Sequence, residues 1–157
     1  MLFGKRKRIV KRVLIIEDEP LTAFDNEVIL HDCGLEVVAT HDDFEEALAA
    51  LDREQVDLIL SDVRLRGDRT GIDLAHEAKK RGIPLLFITG YPPDNARELA
   101  IGCLLKPYSD RTMRQTIEAI DLHLGGKACK PPKGLELYPI AKSEGTVPPS
   151  GAVPYKD

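Results

Sequence analysis

Five short apolar runs, rich in β-branched residues, recur between residues 13 and 105, and a stretch of helical spacing follows each one. The runs span residues 13–16, 35–40, 56–60, 85–89 and 103–105. Unbroken apolar runs of this length suit strands buried on both faces of a parallel sheet. Between them, residues 20–33 set Leu21, Phe24, Val28 and Leu30 at helical steps, and Gly34 ends the segment. Residues 42–53 open on Asp42 or Asp43 as a cap and offer Phe44, Ala47, Leu48 and Leu51 to a core. Residues 71–81 carry Ile72, Leu74, Ala75 and Ala78, end on three basic residues and stop at Gly82. Residues 94–100 form only a short, weakly apolar helix behind Pro92-Pro93. Residues 109–124 place Met113, Ile117, Ile120 and Leu124 on one face, with Ser109 as the cap. Strict alternation predicts an α/β fold, (βα)5, with a doubly wound, parallel five-stranded sheet and helices on both faces.

Charge divides the chain further. Residues 1–12 hold six basic residues and no acid, whereas residues 13–124 hold 11 basic and 23 acidic residues. An acidic body disfavours nucleic acid over most of its surface, so no direct DNA binding is expected. The expected organisation is a solvated basic arm at 1–11, one domain at 12–124 and a tail at 125–157. The tail holds six of the 11 prolines and five of the 12 glycines, which reads as mostly disordered. Leu135, Leu137 and Tyr138 are its candidates for docking, on the body or on a partner. It lacks the length and periodicity of a DNA-reading helical domain. No apolar run is long enough to span a bilayer, so no membrane insertion is expected. Cys33, Cys103 and Cys129 are scattered and odd in number, which favours a reducing, cytoplasmic setting over a disulfide scaffold. Phosphate-loop, dinucleotide, serine-hydrolase and zincin motifs are all missing, as is any ligand spacing among His31, His41, His76 and His123.

In a doubly wound sheet the chemistry sits at the carboxyl ends of the strands. There the sequence places Glu17-Asp18-Glu19, Ser61-Asp62, Thr89-Gly90 and Lys106-Pro107. Converging carboxylates repel one another unless a cation lies among them, and hard oxygen donors suit Mg²⁺ or Mn²⁺. A carboxylate can accept a phosphoryl group as an aspartyl phosphate, a transfer that needs mostly positioning and charge neutralisation. The cation, Lys106 and Thr89 with nearby backbone N–H groups would each neutralise one phosphoryl oxygen. Gly90 leaves room for the group. The Lys106-Pro107 bond is of the type in which a cis peptide is affordable.

The motifs VLIIEDEP, VDLILSDVRL, LLFITGY and LLKPY, in this order and spacing, resemble those of response-regulator receiver domains. The resemblance covers residues 12–124. It implies a flavodoxin-like strand order 2-1-3-4-5. It also implies Asp62 as phosphoacceptor, Asp18 as a direct Mg²⁺ ligand and Glu17 acting largely through water. The backbone carbonyl of Arg64 is the implied third protein ligand, Thr89 the switch hydroxyl and Lys106 the contact to the phosphoryl group. The family's usual aromatic, three residues before the lysine, is replaced by Cys103. Phe87-Ile88-Thr89-Gly90-Tyr91 instead resembles an alphaproteobacterial branch of single-domain receivers that lacks it.

The implied function is a stand-alone response regulator that takes a phosphoryl group from a histidine kinase or phosphotransfer protein. It would act as a relay, a sink or a switch for a protein target, with no external substrate and no cofactor other than the metal. A receiver-shaped interaction module that is never phosphorylated is the alternative.

Overall fold

The computed structural model describes residues 7–140. Five strands, β1 (Arg12–Ile16), β2 (Glu36–His41), β3 (Leu58–Ser61), β4 (Leu85–Thr89) and β5 (Gly102–Leu105), run parallel in the order β2-β1-β3-β4-β5. The register pairs Ile16 with Ser61 and Thr89 with Leu105, so the strands end level in pairs, and Ser61 faces Phe87, so β4 and β5 reach two residues beyond β3. β3 and β4 are buried along their whole length, which is why they read as unbroken apolar runs.

A sixth strand corrects the expected count of five. β6 (Leu135–Leu137) pairs antiparallel with β5 and comes from the segment read as a tail. Residues 141–157 of that tail, and 1–6 of the basic arm, lie outside the described residues. The rest of the expected arm is mostly exposed, at Lys7, Ile9 and Lys11, but is tied down at one point. The backbone N–H groups of Ile9 and Val10 donate to Asp121 Oδ1 at 2.9 and 2.8 Å, and Val10 is buried.

Five helices cover the two faces. α2 (Phe44–Arg53), α3 (Gly71–Arg81) and the four-residue α4 (Ala96–Leu99) lie over one core, built around Leu14, Ile16, Ile59, Leu85 and Phe87. α1 (Pro20–Asp32) and α5 (Asp110–Leu124) lie over the other, built around Val13, Ile15, Leu58, Leu60, Leu86 and Leu104. Asp43, rather than Asp42, caps α2 by accepting from Glu46 N at 2.8 Å. Thr70 and Asp73 form a reciprocal capping box on α3, and Ser109 caps α5.

α1 departs from the expected face. Leu21, Phe24 and Val28 point to solvent, and Ala23, Asn26, Ile29 and Leu30 are buried. Leu30 lies nine positions beyond Leu21, and at about 100° per residue that carries it to the opposite side of the helix. The four residues never shared one face. Packing of Ile29 and Leu30 against the α5 side of the core decided which face is inside. Smaller differences concern Leu48, Ile72 and Leu124, which are only partly buried at the edges of the cores.

Candidate functional site

The level strand ends bring the polar residues that follow them to one edge. Asp62 N donates to Ile16 O at 2.9 Å, which seats Asp62 beside Glu17. Lys106 N donates to Thr89 O at 3.0 Å, continuing the β4–β5 pairing past its last residue. The Lys106-Pro107 peptide is cis. Lys106 Nζ lies 3.0 Å from Asp62 Oδ2 and 3.2 Å from Glu17 Oε2, bridging the two carboxylates. Asp18 stands at the exposed rim, and carboxylate oxygens of Glu17, Asp18 and Asp62 lie within 4.8 Å of one another.

Backbone groups hold these carboxylates in place. Glu17 Oε2 accepts from Glu19 N at 3.1 Å, and Asp62 Oδ1 accepts from Arg64 N at 3.3 Å. Gly71, the first residue of α3, sits directly behind Asp62. A Cβ there would overlap the Asp62 carbonyl oxygen, so glycine is what lets α3 press against the strand end.

The electrostatics follow from burial. Burial pushes the Glu17 carboxyl above the usual carboxylate range; Lys106 opposes the shift and the charge of Asp62 adds to it. Burial alone would lower Lys106, but its hydrogen bond to Asp62 and the charge of Glu17 outweigh that and raise it. The Glu17 shift comes from burial, and the Lys106 shift from its two carboxylate neighbours. With Asp18, three carboxyl groups face one lysine. An all-oxygen donor set with excess negative charge fits a small divalent cation such as Mg²⁺. A cleft of about 370 Å³ opens beside Glu17 and Asp18 toward His41, Asp42, Glu46 and Arg66. A larger cleft of about 580 Å³ lies at the opposite end of β2, around Gly34 and Val37, away from these groups.

Thr89 stands at the same edge, but its hydroxyl is engaged by the loop that follows, accepting from Tyr91 N at 3.2 Å. Tyr91 itself is 87% exposed. Of the residues singled out in the sequence, Glu17, Asp18, Asp62 and Lys106 are thus brought together. Arg64 touches Asp62 through its N–H, and the Thr89 hydroxyl turns toward Tyr91.

Sequence reasoning missed one feature around the site and left a second open between the body and a partner. Arg66 holds Asp42 Oδ1 at 2.7 Å and Asp43 Oδ2 at 3.1 Å, while its N–H donates to Asp42 O at 2.8 Å. The loop after Asp62 is thereby pinned to the loop after β2. The second feature is Tyr138, whose ring packs in the same buried cluster as Cys103, the position without the usual aromatic. No local spacing announces either one. Only the run of acids at 42–46 hinted that a cation would be drawn there.

A Rossmann-like sheet with one acidic, lysine-bridged edge defines a class of signalling module, and the comparisons agree. Residues 13–118 match the response regulator receiver domain family, and the chain belongs to that family. It is a module of two-component signalling with a flavodoxin-like fold. The chain is 34% identical over 116 residues to the transcriptional regulatory protein PdtaR of Mycobacterium tuberculosis, covering 70% of this chain and 56% of that protein. It is 37% identical over 82 residues to the phyllosphere-induced regulator PhyR of Methylorubrum extorquens, covering 51% of this chain and 31% of that protein. Among solved structures, the receiver domain of Erythrobacter litoralis PhyR superposes with a TM-score of 0.66 at 28% identity, covering 78% of this chain and 96% of that one. The chain therefore spans about half or less of the length of these curated relatives. Among the described residues, no helix is long and apolar enough to cross a membrane.

Proposed function

We propose that this chain is a response regulator that accepts a phosphoryl group on Asp62 and passes the change on through protein contacts. The observation that carries the reading is Lys106, held between Asp62 and Glu17 at the mouth of the acidic edge. In the transfer, an Asp62 oxygen attacks the phosphorus of a phosphohistidine. A P–O bond forms as the P–N bond breaks, and the electron pair returns to the imidazole nitrogen, which takes up a proton. Lys106 neutralises one phosphoryl oxygen. The Thr89 hydroxyl leaves the Tyr91 N–H and donates to another. Asp18, Asp62 and the Arg64 carbonyl, with Glu17 beside them, would hold Mg²⁺ (or Mn²⁺). The metal supplies charge neutralisation for the phosphoryl oxygens when bound.

The phosphodonor is a histidine kinase or a phosphotransfer protein. Leu21, Phe24 and Val28 supply a solvent-facing apolar stripe on α1, the helix that begins at the edge bearing Glu17 and Asp18. Such a stripe is a docking surface for an apolar partner face. The acidic body argues for a protein target over DNA, so the chain serves as a relay, a phosphate sink or a binding switch. Its three free cysteines fit the reducing cytoplasm.

The test is intact-protein mass after incubation with Mg²⁺ and acetyl phosphate, beside an Asp62→Asn variant and a metal-free control. One added phosphoryl group that requires both Asp62 and metal is expected. No adduct, with phosphorylated histidine proteins as donors too, would leave the alternative of a binding module that is never phosphorylated.

A further inference from the structure

A three-residue strand has little stability of its own, so what holds β6 on the sheet repays a close look. Gly102 pairs with Leu137, Cys103 with Glu136 and Leu104 with Leu135. Tyr138 N donates to Ile101 O at 2.8 Å, and Leu105 N donates to Gly134 O at 2.9 Å. A Cβ on Gly102 would run into the Glu136 carbonyl and the Leu137 side chain. Gly102 does not have the positive φ that calls for glycine elsewhere. Its missing side chain serves the close approach of this strand. Tyr138, 4% exposed, is the anchor. Its carbonyl lies 2.8 Å from His123 Nε2, so α5 holds the backbone just past the strand.

The link from this strand to the phosphoacceptor edge is α4. Arg97 binds Glu136 at 2.9 Å and lies over the Tyr138 ring at 5.0 Å, so this helix grips β6 by charge and by the ring face. α4 has only one turn; Ala96 anchors it in the core, and Lys79 Nζ donates to Glu98 O at 2.6 Å. The loop that leads into α4 starts at Thr89, whose hydroxyl receives the Tyr91 N–H. When Thr89 turns toward a phosphoryl group, that hydrogen bond is lost and the loop is free to carry α4, and Arg97 with it, to a new position.

We propose that residues 135–138 are a built-in competitor strand on the edge of β5, held or released by α4 through Arg97. The partner admitted when they leave is an extended protein segment with the same aliphatic–x–aliphatic–aromatic pattern. The occupant's chemistry is read from β6 itself: Leu135 and Leu137 flank Glu136, and Tyr138 fills the socket. An edge strand whose neighbour can leave is a template for strand addition. The trigger rests on the phosphoacceptor reading given above; the competing strand does not.

The experiment uses the full chain and a labelled peptide with the sequence of residues 133–140, KGLELYPI. Apparent affinity scales with the fraction of molecules whose edge is open, so Tyr138→Ala in the chain is expected to strengthen peptide binding by roughly tenfold or more. Mg²⁺ with beryllofluoride, a mimic of the aspartyl phosphate, is expected to strengthen it for the wild-type chain. Under the same treatment the Tyr138 and Leu105 amides should exchange hydrogen faster. Gly102→Ala, which crowds any strand laid there, is expected to weaken peptide binding in the Tyr138→Ala chain, where the resident strand no longer competes. Far-UV circular dichroism checks that each variant is folded. A folded Tyr138→Ala chain that does not bind the peptide overturns the competitor strand. Acetyl-phosphate labelling is read separately by mass. If Asp62 takes the group and the two amides do not change, the trigger is overturned while the phosphoacceptor reading stands. If Asp62 takes no group, both the reading and the trigger fail, and peptide binding to Tyr138→Ala alone decides the strand.

Discussion

α1 and α5 lie side by side on one face of the sheet, yet they spend their apolar residues differently. α5 turns Met113, Ile117 and Ile120 fully into the core and buries one carboxylate, Asp121, on the Ile9 and Val10 N–H groups. α1 buries Ile29 and Leu30 with the small Ala23 and the polar Asn26, and shows Leu21, Phe24 and Val28 to water. A helix needs only one apolar stripe to be held down. The second stripe on α1 stays out of the core, which leaves it free for the docking role proposed above. The two helices also meet through a polar contact, since Tyr108 Oη, just ahead of α5, donates to Asn26 Oδ1 at 3.1 Å.

The contrast can be broken at its strong end first. Ile117→Ala on α5 and Leu30→Ala on the inner side of α1 should each cost about 2–5 kcal/mol, measured by urea unfolding. If Leu30→Ala costs under about 1 kcal/mol, the helix is not held by that face. Asn26→Ala leaves the Tyr108 hydroxyl without its partner and should cost about 1–2 kcal/mol. Thr70→Ala removes the α3 cap and should cost about 1 kcal/mol, a calibration of local against tertiary effects in the same unfolding series. On the outer stripe, Phe24→Ala should change stability by no more than about 0.5 kcal/mol. It should nevertheless slow phosphotransfer from a phosphohistidine protein while leaving acetyl-phosphate labelling unchanged; equal slowing with both donors would remove the docking role.

The smallest effect concerns the thiols. Burial, with the charge of Glu136 adding to it, pushes the Cys103 thiol up to about 11. Its thiolate is therefore scarce below that pH and grows as pH rises toward it, so Cys103 should resist iodoacetamide at pH 8. Cys33 and Cys129, both half-buried, should react before it. Rapid labelling of Cys103, read by peptide mass, would mean that the β5–β6 edge opens freely.

The polar edge was legible in the sequence because each of its members directly follows a strand. Glu17 after Ile16 and Asp62 after Ser61 follow strands that end level, and Lys106 after Leu105, two positions further along the edge, reaches back with its long side chain. The Arg66 clamp was not legible. It joins two loops that are neighbours only because β1 places β2 and β3 on either side of itself. The phase of α1 was hidden for a different reason. Two apolar faces compete on one helix, and periodicity alone cannot choose between them.

Local patterning by itself determined the alternation of strands and helices, the cap at Ser109, and the residues that stand at the carboxyl edge. Each depends on side chains within a turn or two of one another, whose preferences act before the chain is folded. The tertiary structure decided which side of α1 faces inward, that Leu135–Leu137 becomes a strand, and that Tyr138 fills the space beside Cys103. Those outcomes depend on partners far away in the chain. A three-residue strand exists only when a neighbouring edge supplies its hydrogen bonds, and Gly102 supplies that edge with the room for it.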